Sequence, residues 1–390
     1  MNDEYLKEED WRSQGYTHPL RDKSVGSKLT NDIHSLFSYE LDEVPPGSVT
    51  KARWGKLELE EYKLLDQPLR LATQLIESAP SSDAICSITE GERYISPDNL
   101  SHSGLAVFEF RQHSLPSSAI REKASNILNQ LGKTITFFVT NRDPITDVVG
   151  TSHGRTSPIS LDHPEGVTIT DRPEVKGLAS MVAINRYYLN ALKYPLLEAK
   201  KDEFLIPKIY FEFAVTICHE IMHAINFAIQ SELLKKYIEM GTNFKKVPFN
   251  EPIHEGQRVA ELGFFWEDKV FGGMCLHSGR HPEKGLFITD WPSWMVRDKE
   301  EDPERAPPKK LSVKFLVSTY YMKKIQTQEF WDKVNLEHSE DLLALRIRRR
   351  VGVMCLYTGT DFDLTWDWTA KENRPETVGN EFRVLEDSRE

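Results

Sequence analysis

The chain has 390 residues, 39% of them hydrophobic, enough for one large domain or two of ordinary size. Its 49 basic and 60 acidic residues leave a net charge of −11, which speaks against a general nucleic-acid binder. No run approaches the roughly 18 apolar residues of a membrane span, and the opening MNDEYLKEEDWRSQGYTHPL lacks the basic start and apolar core of a secretion signal.

Residues 1–55 are polar and mixed in charge, with Pro45-Pro46-Gly47 near their end, and predict a partly disordered N-terminal arm. From 57 to 78, apolar residues recur at helical spacing (Leu64, Leu65, Leu69, Ala72, Leu75, Ile76), and Pro68 marks either a kink or a fresh helix start. Segments 105–110 and 134–140, rich in Phe, Val and Ile, predict strands. Between them, 117–131 predicts an amphipathic helix with Ile120, Ala124, Ile127 and Leu131 on one stripe. Residues 141–165, dense in Asp, Pro, Gly, Ser and His, predict a loop carrying His153 and His163 as surface histidines. A strand is expected over 177–189 (GLASMVAINRYYL).

Next comes the stretch 211–227, FEFAVTICHEIMHAINF, inside a helix expected over about 206–238 and closed by Gly241-Thr242-Asn243. It is apolar on every side, so it should be buried. His219 and His223 are four apart, so both imidazoles leave one face, the spacing two nitrogen ligands need to reach one tetrahedral zinc. Glu220 projects about 100° round the helix from His219, beside the metal and able to take a proton from water. Buried histidines and a buried glutamate need compensation, which a metal supplies. A chance match on a core helix, with each His satisfied by a hydrogen bond, is the plainer alternative.

A second helix is expected over about 251–270, with Asn250 as N-cap, Glu251 and Pro252 in the first turn, and Gly272-Gly273 as the stop. A short apolar run follows at 286–289. The charged, Pro-rich 297–310 predicts a loop, and 313–322 and 330–334 predict helix. The basic run 346–350 reads as a solvated helix face and 366–390 as a polar tail. The four cysteines, Cys86, Cys218, Cys275 and Cys355, have no C-x-x-C spacing, as expected of reduced thiols in a cytoplasmic or nuclear protein.

The H-E-x-x-H pattern of His219, Glu220 and His223 resembles the zincin metallopeptidases. A catalytic zinc takes three protein ligands. Asn226 and Ile229 stand where a metzincin has Gly and His, Thr242 and Val247 stand where short-spacing gluzincin patterns want a Glu, and Gly359-Thr360-Asp361 is only part of an aspzincin pattern. The second helix offers Glu251, Glu255, Glu261 and Glu267. Glu261, embedded among Val259, Ala260 and residues 262–266, is the expected third ligand, since a carboxylate in such apolar surroundings needs a cation. Glu255 stands next, His254 is an outsider, and Glu267, before Asp268-Lys269, looks solvated or placed behind a ligand.

The resemblance implies an α+β, zincin-like domain over 56–365, with a mixed sheet in the front half and a largely helical back half around the H-E-x-x-H helix. It implies one zinc per chain on His219, His223 and Glu261, hydrolysis of a peptide or protein substrate with Glu220 as general base, and substrate pairing along an edge strand at residues 180–185. Tyr187, Tyr188, Tyr320, Tyr321 and His277 are candidates to stabilise the oxyanion. Alternatives are a zinc hydrolase or tailoring enzyme acting on a non-peptide substrate, and an inactive zinc-binding scaffold. Intact Glu220 speaks against the scaffold, which has no use for a base.

Overall fold

The computed structural model describes residues 27–40, 53–55, 57–100, 106–140, 153–158, 179–193, 205–229, 251–255, 260–276, 286–289, 310–347, 352–357 and 362–367. A 3-10 turn at Ser35–Phe37 is followed by β1 (Trp54–Gly55), α1 (Leu59–Lys63), α2 (Asp66–Ile76), α3 (Ala79–Glu90), β2 (Arg93–Leu100) and β3 (Ala106–Phe110). Then come α4 (Ser117–Leu131), β4 (Ile135–Thr140), β5 (Gly154–Pro158), β6 (Ser180–Asn185), α5 (Tyr187–Lys193) and α6 (Leu205–Ile229). The remainder comprises β7 (Ile253–His254), α7 (Leu262–Phe271), β8 (Met274–Leu276), β9 (Phe287–Thr289), β10 (Lys310–Leu316), α8 (Thr319–Lys324), α9 (Gln328–Glu337), β11 (Gly352–Tyr357) and β12 (Phe362–Asp367).

The architecture is mixed α/β. A four-stranded sheet has the order β1-β4-β6-β5. Its first three strands are parallel, with Trp54 beside Phe137 and Ile135 beside Ser180, and β5 runs antiparallel to β6. Against this sheet lies α6, packed on β5 and β6 and flanked by α2 and α7. Its faces are buried nearly throughout, as its apolar composition demands. The stripe expected on α4 is the face that packs inward, through Ala124, Ile127, Leu128 and Leu131. Pro68 is the third residue of α2, where its missing N–H costs nothing, so it marks a fresh start and not a kink.

Several expectations are corrected. The back half is not largely helical: β8 to β12 form a five-stranded antiparallel sheet in the order β12-β11-β10-β9-β8. Residues 310–316, KLSVKFL, alternate polar and apolar, a period of two that suits β10 and overrides the helix expected from 313 and the loop expected through 310. The strand expected over 177–189 stops at Asn185, whose side-chain oxygen accepts the Tyr187 N–H at 2.9 Å and turns the chain into α5. The presumed loop at 141–165 contains β5. Because β5 covers one side of β6 and β4 the other, residues 180–185 are interior to the sheet and not its edge.

The second helix begins at Leu262, not at 251. Ile253 and His254 instead join the three-stranded sheet β2-β3-β7, where Glu109 pairs with Ile253 and Phe110 with His254. Arg346 follows the turn at 342–345 and is not on a helix face, and β12 runs past residue 365 to Asp367. Leu29, Leu36, Phe37 and Trp54, all from the segment read as a polar arm, are core residues. Residues 1–26, the helix continuation over 230–238, His163 and His277 lie outside the described residues. Among the described residues no helix is long and apolar enough to cross a membrane. Cys86, Cys218 and Cys275 are buried free thiols.

Trp54 is fully buried, stacks on Phe137 with ring centroids 4.7 Å apart, and donates its indole N–H to Phe37 O at 3.0 Å. Trp54→Ala should therefore cost about 3–5 kcal/mol in denaturant unfolding. A loss below about 1 kcal/mol would show that β1 does not dock on β4.

His34 caps the 3-10 turn, its Nδ1 accepting the Leu36 N–H at 3.0 Å. Burial, helped by Arg53, holds its pKa at about 4. The unfolded chain protonates near 6.5 while the folded chain resists, so stability is fully present above that pH and falls as pH drops toward 4. His34→Asn, which can still cap, should flatten this acid limb in urea midpoints measured across pH. His254, held at about 4 by burial and then by Lys269, leaves part of the limb in place, and an unaltered slope would remove His34 from the account.

Candidate metal centre

On α6 the two imidazoles project side by side, ring centroids 5.0 Å apart, as their spacing of four requires. Glu261 faces both. Its Oε1 lies 3.1 Å from His219 Nε2 and 3.0 Å from His223 Nε2. The expected third ligand is therefore at the cluster, but for a different local reason from the one inferred. Glu261 is not a mid-helix residue: it is the N-cap of α7, its other oxygen accepting the Phe264 N–H at 2.5 Å.

The remaining imidazole nitrogens are held by two further carboxylates. His219 Nδ1 meets Glu267 Oε1 at 2.7 Å, and Glu267 Oε2 accepts the Cys275 N–H at 2.6 Å. His223 Nδ1 meets Glu251 Oε1, and Glu251 Oε2 accepts the Leu262 N–H at 2.8 Å. Glu267 is 1% exposed, which rules out the solvated reading and leaves the one that placed it behind a ligand. Glu251, one of the four acids of the expected second helix, stands behind His223, a place the sequence does not assign it.

Glu255 is not at the cluster. It is exposed and pairs with Arg111 Nε at 3.1 Å. His254 packs instead on Phe265, centroids 4.7 Å apart. Nor is His153 a free surface residue: its Nδ1 is 2.8 Å from the Tyr188 hydroxyl.

Glu220 is 5% exposed and stands beside the cluster. The Thr156 hydroxyl on β5 lies 2.7 Å from Glu220 Oε2 and 2.9 Å from its backbone oxygen. Burial pushes the Glu220 carboxyl pKa up, opposed by His223, His219 and the Thr156 hydroxyl.

Two glycines set the clearances. A Cβ on Gly154 of β5 would stand 2.7 Å from Glu220 Cγ and Oε1, and one on Gly263 of α7 would stand 2.3 Å from the His219 ring. Neither position admits a side chain without moving a site residue, so β5 and α7 can approach α6 only as glycine.

The four carboxylates Glu220, Glu251, Glu261 and Glu267 demand positive charge around two imidazoles. Burial disfavours protonation of His219, but Glu261 and Glu267 outweigh it and raise its pKa to about 10. His223 goes well above its ordinary value against the same burial, through Glu251 and Glu261. Glu261, disfavoured as an anion by burial, is nonetheless held below the usual carboxylate range by the two imidazoles.

Two protons or one divalent cation can meet that demand. His219, His223 and Glu261 offer ligand atoms within 4.8 Å of one another. Ligands about 2.0–2.1 Å from a tetrahedral zinc lie about 3.3 Å apart, close to the 3.0 and 3.1 Å found here. With both Nδ1 atoms facing carboxylates, both Nε2 atoms are turned toward the same point, so the donor set fits zinc.

Of the oxyanion candidates, Tyr188 is bonded to His153 and Thr216, Tyr321 donates to Leu345 O at 2.6 Å, and Tyr320 is exposed with Lys324 over its ring. Tyr187 packs against His153 and Tyr188. Comparison with protein families, curated proteins and solved structures found no match to this chain.

Glu251 and Glu255 separate cleanly by experiment. Glu251→Gln should weaken zinc binding by about 10–100-fold in a chelator competition, because it unseats His223. Glu255→Ala should leave affinity unchanged, and Glu261→Ala should weaken it more than either. Equal affinities for the Glu251 and Glu255 variants would show that the carboxylate behind His223 has no part in the site.

Proposed function

We propose that the chain is a zinc-dependent metallopeptidase, with His219, His223 and Glu261 holding one zinc ion and Glu220 serving as general base. The observation that supports this most is Glu220 itself. It is a buried carboxylate outside the three-donor group, held by Thr156 on one side and backed by Gly154 on the other, next to two imidazoles. A structural metal site has no need of it.

When bound, zinc acts as a Lewis acid toward water and toward a carbonyl oxygen. Glu220 takes a proton from the attacking water and delivers it to the leaving amine. Burial raises its pKa, which favours holding that proton between the two transfers. The Thr156 hydroxyl keeps the carboxylate oriented.

A peptide substrate is supported by β5. This strand forms the end of the four-stranded sheet and, among the described residues, pairs with β6 alone. The Asn185 N–H donates to His153 O at 2.9 Å. The alternation of antiparallel pairing from that bond turns the backbone groups of Gly154 and Thr156 to the outer side. An extended peptide added there lies along the two residues that touch Glu220.

Glu220→Gln keeps volume and hydrogen bonding but removes the base. Zinc content and fold should persist while hydrolysis of a peptide library falls by at least about 10²–10⁴-fold. Equal cleavage by the variant would sink this mechanism. If the wild type binds zinc and cleaves no peptide, a non-peptide substrate or a scaffold role takes precedence.

A further inference from the structure

The apolar composition of α6 conceals a row of polar side chains. Lys208, Glu212, Thr216 and Glu220 follow at intervals of four, one above the next on a single face, and all are buried. Tyr188, in the first turn of α5 and 1% exposed, meets this row at Thr216, with the two hydroxyl oxygens 2.9 Å apart. The same phenol is 2.8 Å from His153 Nδ1. His153 immediately precedes β5. Side chains from three parts of the chain thus tie the start of the edge strand to α6, one turn below Glu220.

A buried hydroxyl carries a desolvation cost unless its hydrogen bonds are made. Phenylalanine at 188 would pack equally well edge-on against Phe213, whose ring centroid is 5.6 Å away. The phenol oxygen is therefore explained by its two links, not by packing. The next residues along β5 contact Glu220 directly. The backbone at Gly154 is close enough that a Cβ would meet the Glu220 carboxylate and Thr216 Cγ2, at 2.7 and 2.8 Å, and Thr156 bonds Glu220 Oε2. No slack separates strand from base, so a shift of β5 becomes a shift of Glu220.

We propose that Tyr188, with Thr216 and His153, forms a latch that sets the position of Glu220, and that the three are positioning residues for the hydrolysis. As regards the reaction, this rests on the function proposed above. The latch itself is a statement about β5 and α6. With neutral His153 accepting at Nδ1, Tyr188 donates to His153 and Thr216 donates to Tyr188, a consistent set of three groups. Misplacing a reacting group by about 1 Å costs on the order of 10²-fold in rate, so a loosened latch should act on turnover more than on binding.

Tyr188→Phe and Thr216→Val remove one hydroxyl each and keep the volume. Each should lower kcat by about tenfold or more with KM changed less than about twofold, and leave zinc content as in wild type. Hydrogen exchange at the β5 amides should quicken in both. His153→Asn, whose side-chain oxygen can accept the Tyr188 hydroxyl, should regain much of the turnover lost in His153→Ala. Wild-type kcat and exchange in both hydroxyl variants overturn the latch, and so does a rise in KM at constant kcat. Should wild type bind zinc yet cleave nothing, the proposed function fails, and exchange decides the latch by itself: faster β5 exchange sustains it and unaltered exchange overturns it.

Discussion

The region around α6 depends on how three carboxylates are shared. Glu251, Glu261 and Glu267 each turn one oxygen to an imidazole and the other to a backbone N–H, those of Leu262, Phe264 and Cys275. Glu267 is buried and Glu251 and Glu261 half-buried, and carboxylates so far withdrawn from water need pairing of this kind. The imidazole bonds aim both Nε2 atoms at one point. The backbone bonds of Glu251 and Glu261 start α7, and that of Glu267 joins the body of α7 to β8. The donor cluster and the packing of α7 on α6 are therefore one construction: loosening an acid disturbs the ring it holds and the helix start or strand it fixes.

What could be read from the sequence follows how local each cause is. The helix Ser117–Leu131 was visible because its apolar stripe is a property of a single segment. The pairing of His219 with His223 was visible for the same reason. Glu261 was identified as the acid facing them, but through its apolar neighbours. Its actual setting, at the mouth of a short helix, arises because residues 253–254 are drawn into a sheet with β3. That pairing joins residues far apart in sequence, and it overrides the helical reading of 251–255. Glu251 was passed over for the same reason. Glu267 was misjudged from its neighbours Asp268 and Lys269, although it lies four residues after Gly263 and three before Val270, on the inward side of α7 with both.

Strand β5 shows another limit. Its sequence, GRTSP, has the composition of a turn and no apolar alternation. A strand at the end of a sheet needs few apolar residues, and here close approach to α6 demands glycine at 154. Composition alone assigns such a segment to a loop. The five-stranded sheet of the back half was hidden differently: KLSVKFL does alternate, but the hydrophobic residues around it fit a helix almost as well.

The polar row on α6 bears on why this helix adopts one orientation. Burying Lys208 and Glu212, with Nζ and Oε1 3.5 Å apart, adds little net stability, because desolvation offsets much of the attraction. The consequence of the row as a whole is specificity. A helix with apolar residues on nearly every side can rotate about its axis at small cost in hydrophobic burial, since each face suits the core about equally. Turning α6 by one residue, about 100°, would take Thr216 from Tyr188 and Glu220 from Thr156, leaving buried polar groups without the partners they have. The same turn would carry His219 and His223 away from Glu261. The Tyr188–Thr216 and Thr156–Glu220 contacts, both made to other elements, therefore penalise the same misorientation, whereas the Lys208–Glu212 pair lies within α6 and turns with it. The polar residues that make α6 poorer as a hydrophobic core element are the ones that select which of its faces receives the carboxylates of α7.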